Sequence, residues 1–220
     1  MSRIHKLGSL LFVACLGINA LPPDARACGG EWYPEVAVDP RIHGVAQAEK
    51  SLQSGNRIAA AASVIRMMPH IKSLKGTPGS LVGRAERVLA VALSRSSGAL
   101  PLASEVSAEV RGSWQGGKSG ERAANLEWSI QVLKRQVDSK TDDVSLATDL
   151  AEAMARVPAR RAEARVMLED LAQRDLIASP EGYAALAALR SESGDTNGQK
   201  LALQRCEAMA KTRGACALRS

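Results

Sequence analysis

Near the C-terminal end of the 220-residue chain, a two-helix pattern returns after about 36 residues. Leu150-Ala151 recurs as Leu186-Ala187, and Leu168 and Leu171 recur as Leu203 and Cys206, one residue closer. A small residue beside a leucine, followed by a second run with apolar positions three and four apart, is the pattern of stacked antiparallel helices. Alanine lets two helix backbones approach, and the larger side chains fill the groove between pairs. A period in the mid-thirties is the signature of a helical solenoid, in which each unit buries its apolar face only against its neighbours. The expected fold class is therefore all-α, a solenoid of about four antiparallel helix pairs with a glycine-rich insert. Such surfaces usually bind rather than catalyse, so a binding module is the expected class of function.

The first 27 residues are expected to be absent from the folded domain. Arg3, His5 and Lys6 form a basic start, Leu7 to Ala20 is almost uninterruptedly apolar, and Ala25-Arg26-Ala27 supplies an A-x-A cleavage site. This is the layout of a secretory signal peptide, and the apolar run is shorter than the ~20 residues a membrane span requires. No later segment is long or apolar enough to cross a bilayer. Removing residues 1–27 takes Arg3, Lys6, Arg26 and Asp24, which lowers the net charge from +6 to +4. A balance this mild, in an exported chain, argues against nucleic acid as a partner. The remaining aromatics are Trp32, Tyr33, Trp114, Trp128 and Tyr183. Few aromatics beside abundant alanine and leucine favour helix over sheet.

Three cysteines remain after cleavage: Cys28, Cys206 and Cys216. An oxidising compartment makes a disulfide the default for an exported chain. Cys206–Cys216 is the preferred pairing, because a short tail containing Gly214 can fold back onto the preceding helix. Cys28 would become the first residue of the mature chain, the position of a lipid-tethered cysteine. Against a tether stand Arg26, where a small residue is expected, and the early end of the apolar run.

Periodicity divides the rest. Residues 28–40 read as an extended lead-in, 41–211 as the helical-repeat domain, and 212–220 as a tail. Helices are expected over 41–53 and 57–68, the second carrying Ile58, Ala61, Ile65 and Met68 on one face. The strongest amphipathic stripe follows, Ala85, Val88, Leu89, Ala92 and Leu93. Residues 99–120 break the rhythm with Pro101, Gly112, Gly116, Gly117 and Gly120 and form the expected insert. Helices resume over 121–137 and from Asp142 or Asp143 to Val157. Ala164 to Leu171 marks another, and the last pair runs over 180–192 and 197–211. Ser179-Pro180-Glu181 places a cap, a first-turn proline and a first-turn acid in order.

These features resemble a degenerate tetratricopeptide-repeat protein. Ala48, Gly55-Asn56, Ala60, Val64 and Met67 fit that spacing in the first pair. Tyr183, Leu186, Ala187 and Gly194-Asp195 fit it in the last, with Leu203 and Cys206 following. The middle pairs fit less well. The resemblance covers most of residues 41–210 and implies protein or peptide binding on a concave face. It supplies no catalytic residues.

Three stretches of the sequence suggest a specific chemistry. Gly112-Ser113-Trp114-Gln115-Gly116-Gly117-Lys118-Ser119 matches the phosphate-binding string G-x-x-x-x-G-K-[ST]. That motif needs a buried strand before it and a second strand ending in an Mg²⁺-binding aspartate. Glu105 to Arg111 is half polar and no second strand is visible, so the string reads as a glycine-rich loop and no cofactor is expected. His43 and His70 stand far apart with no ligand at metal spacing, so neither a metal nor a nucleophile is expected. Arg156, Arg160, Arg161 and Arg165 form the densest basic cluster. It reads as a solvated face, with Glu152 well placed to pair with Arg156, or as an electrostatic contact for an anionic peptide or envelope polymer.

Trp114 has no periodic apolar neighbours. It is either a contact for a partner or a cap folded over adjacent helices. The preferred reading is an exported, non-catalytic helical-repeat module of the cell envelope, periplasmic or extracellular, that binds a protein or peptide. Trp114, Arg156, Arg160 and Arg161 are its candidate contacts. Its rivals are an envelope enzyme or accessory subunit using residues 99–120, and an assembly factor packed permanently against a partner.

Overall fold

The computed structural model describes residues 39–104, 106–212 and 214–217. The expected leader over 1–27, nearly all of the lead-in over 28–40 and the tether at Cys28 lie outside the described residues. Among those described, the chain forms nine α-helices, two short 3₁₀ turns and no strand.

Helix starts follow the capping chemistry. Asp39 accepts from the Arg41 amide at 2.9 Å and opens α1, Pro40–Gln53, with Pro40 in the first turn. Gly55, at φ +80°, makes the turn into α2, Arg57–Met67. A 3₁₀ turn at Ile71–Ser73 follows Pro69. Ser80 caps α3, Leu81–Arg95, by accepting from the Gly83 amide at 3.1 Å. Then come α4, Ala108–Gln115, and α5, Ser119–Ser139. Asp143 caps α6, Val144–Ala155, and accepts from Ser145 and Leu146. The 3₁₀ turn Pro158–Arg160 leads into α7, Arg161–Gln173. Ser179 caps α8, Pro180–Glu192, and Asp195 caps α9, Thr196–Met209.

Two apolar clusters lie on either side of α3. Ala85, Val88, Leu89, Ala92 and Leu93 face the first, with residues of α1, α2 and α4. Ala90 and Val91 join the second, built from α5 through α9. The stripe visible in the sequence is therefore one of two buried faces. Helix α3 packs on α1, α2, α5 and α6, and α6 packs on α5, α7 and α8. Burying each large aliphatic side chain stabilises by about 1.5–3 kcal/mol, so the doubly buried α3 is the central element of the described fold.

Residues 99–120 differ from the expected loop, because 108–115 are helical. In eight residues only Val110 and Trp114 face the first cluster, and two positions are too few to show a period. Trp114 is 1% exposed, which removes it as a partner contact and leaves its capping role. Its ring meets Trp128 edge-on, with centroids 5.3 Å apart, and the Lys72 ammonium lies 4.0 Å from its centre. Lys72 Nζ also donates to the Ser113 carbonyl and to Asn125 Oδ1, both at 3.0 Å. The phosphate-motif string thus runs from helix end to helix start. Gly116 sits in the left-handed region, and its carbonyl accepts from Arg122 Nε at 2.7 Å.

Candidate functional site

Among the described residues lies a cleft of about 590 Å³, within the ~300–1,000 Å³ usual for ligand sites. Its walls come from the end of α1, one face of α3, the starts of α6 and α8, and the segment after α9. A smaller hollow of about 250 Å³ adjoins it and shares Leu52, Gly55, Arg95, Glu181 and Thr212.

Local packing fixes each wall. On α3, Arg84, Arg87, Val88, Val91 and Arg95 recur at spacings that put them on one face. The α8 wall is held by Gly182, where a Cβ would lie 2.7 Å from Thr148, and by the Ala178 amide, which donates to Thr148 Oγ1 at 3.1 Å. Only glycine permits so close an approach of α8 to α6. The tail wall is held by Cys206 and Cys216, whose sulfurs lie 2.05 Å apart, at disulfide distance. This agrees with the expected pairing. It brings Lys211 and Thr212 to the cleft, and a Cβ at Gly55 would lie 3.4 Å from Thr212.

Each arginine of the α3 row holds a carboxylate brought from another helix. Arg84 Nε donates to Glu49 Oε1 at 2.8 Å, and its Nη2 to Oε2 at 2.5 Å. Arg87 donates to Asp149 Oδ2 at 2.7 Å. Arg95 is the most enclosed of the three. Its Nε meets Glu152 Oε1 at 3.0 Å, and its Nη1 lies 3.3 Å from Glu181 Oε1. Burial pushes the Asp149 carboxyl up from the usual carboxylate range, against the pull of Arg87 and Arg95. Burial also works to lower Arg95, but Glu152, Glu181 and Asp149 outweigh it and hold its proton more tightly than usual. The α3 row is thus held by carboxylates from three other helices.

Of the residues singled out from the sequence, Arg156 reaches the smaller hollow. Arg160 pairs with Glu127 at 3.3 Å and lies 3.9 Å from Glu163, and Arg161 pairs with Glu192 at 2.9 Å. Neither lines the cleft. Sequence reading missed Arg84, Arg87 and Arg95. The signal was there, as a cationic row beside the apolar stripe of α3. Their partners come from α1, α6 and α8, far along the chain. Among the described residues no group of three or more His, Cys, Asp or Glu is placed to hold a metal ion. No helix among them is long and apolar enough to cross a membrane.

Comparison with protein-family models, curated proteins and solved structures gives no match for this chain.

Proposed function

We propose that the chain is an exported, non-catalytic helical-repeat module of the cell envelope that binds a protein or peptide segment in the cleft between α1, α3, α8 and the tail. One observation carries this reading: a ligand-sized cleft whose lining mixes apolar side chains with arginines already fixed by ion pairs. Leu52 and Met209 offer apolar surface, and the α3 row offers orienting charge. Export is supported by the leader pattern over 1–27 and by two cysteines at disulfide distance. On this reading the helices form antiparallel pairs stacked as a degenerate solenoid. Support comes from the sequence, in which Leu150-Ala151 returns as Leu186-Ala187 after about 36 residues.

The test is selection from a random peptide library against the purified protein and against Ala178→Trp. Ala178 is exposed and lines the cleft, so the indole fills the cleft without entering a core. Peptides should be retained by the wild type and lost by the variant. Equal retention by both, or no peptide retained by either, contradicts the proposal.

A further inference from the structure

The cleft carries cationic donors that its own ion pairs leave unused. Arg84 engages Glu49 through Nε and Nη2, and Arg87 engages Asp149 through Nε and Nη2. The Nη1 group of each makes no hydrogen bond among the described residues. The two lie one turn apart on the same face of α3, about 5–6 Å between Cβ atoms by helix geometry. Lys211 lines the same cleft from the tail, is exposed, and forms no ion pair among the described residues. The cleft therefore offers donors from two walls, one on a rigid helix and one on a segment tied back through Cys206 and Cys216.

Beside these donors lie half-buried Leu52 and exposed Met209, which a purely charged polymer would leave uncovered. The adjoining hollow shares Leu52 and Thr212 with the cleft, so a segment longer than one residue has room to extend beside it. Resting on the peptide-binding reading above, we propose that the ligand is an internal acidic segment of a polypeptide in extended form. A side-chain carboxylate is received by Arg84, Arg87 and Lys211, and a neighbouring apolar side chain covers Leu52 and Met209.

Charge-assisted bonds to a guanidinium are strong and directional, and the Nη1 groups of Arg84 and Arg87 remain to make them. Fixing Arg84 and Arg87 beforehand lowers the ordering cost of binding, since neither must be immobilised by the ligand. Glu49, Asp149 and Glu181 also line the cleft. They hold the arginines in place and repel an acid that approaches elsewhere, which gives the ligand a register.

The experiment uses a random library of twelve-residue peptides, N-acetylated and C-amidated so that no terminal carboxylate is present. Retained peptides are resynthesised and titrated against the wild type, Arg84→Gln, Arg84→Lys and Lys211→Gln. The expected result is enrichment of Asp or Glu flanked by apolar residues. Affinity should fall about tenfold between low and high salt. It should fall about five- to tenfold in Arg84→Gln and in Lys211→Gln, and recover in part in Arg84→Lys. Lys211→Gln touches no core, and its melting temperature, measured alongside, separates lost binding from lost folding. Retained peptides that are neutral or basic, or whose affinity ignores Arg84→Gln and Lys211→Gln, overturn the acidic-segment proposal while the cleft-binding reading stands. Linear polyphosphate competing as strongly as the best peptide likewise overturns it, in favour of charge alone. If Ala178→Trp retains every peptide, or the wild type retains none, the underlying peptide-binding reading fails.

Discussion

Single side chains carry consequences that can be measured one at a time. Trp114 is enclosed by Trp128, Lys72 and the first apolar cluster, so Trp114→Ala should lower unfolding stability by about 3 kcal/mol in urea titration. A change within ~0.5 kcal/mol would mean the indole is not packed as described. Glu169 offers a pH test. The hydrogen bond from Arg190 holds its carboxyl below the usual glutamate value of 4.5. A carboxyl lowered on folding contributes stability fully above its unfolded value and loses it as pH falls through its folded value, because the unfolded chain then binds more protons. Glu169→Gln should therefore be about 1 kcal/mol less stable than the wild type at pH 7, since solvent screens this partly exposed pair. That gap should close progressively below pH 4.5, as read by paired urea titrations. A gap that persists undiminished in acid would assign the loss to packing instead.

At the scale of elements, α3 explains both what the sequence disclosed and what it withheld. Its 3-and-4 apolar spacing was legible because one amphipathic face is a local property of the chain. Its second face, Ala90 and Val91, was not, since two residues carry no period. The caps Ser179 and Asp143 and the turn at Gly55 were readable for the same local reason. The helix over 108–115 was hidden by Gly112 and by a stripe of only two apolar residues. The carboxylates that meet the α3 arginines were invisible, because Glu49, Asp149 and Glu152 are joined to them only by tertiary packing. The Cys206–Cys216 pairing was readable because ten residues separate two cysteines at the end of a helix.

The same element supplies a double-mutant test. The Glu152 side chain is 1% exposed and paired with Arg95, so Arg95→Met should cost about 3–5 kcal/mol by leaving a buried charge uncompensated. Adding Glu152→Leu should restore most of that loss, as removing both charges often does. Equal destabilisation in the single and double variants would place the energy elsewhere than in this pair.

At the scale of the molecule, two apolar clusters meet along α3, and the cleft lies where α1, α6, α8 and the tail converge on it. The site is built on helix faces and is flanked on one side by a tail tied back at Cys206. The most direct test places a photo-crosslinking amino acid at one exposed position at a time, in the protein expressed in its native cell. Gln53 and Ala178 line the cleft, whereas Val166 on α7 is 70% exposed and does not. The account predicts a discrete adduct from positions 53 and 178, mapped by mass spectrometry to one polypeptide segment, and none from position 166. Adducts at 166 as strong as those at 53 and 178, or none at the two cleft positions, would contradict it.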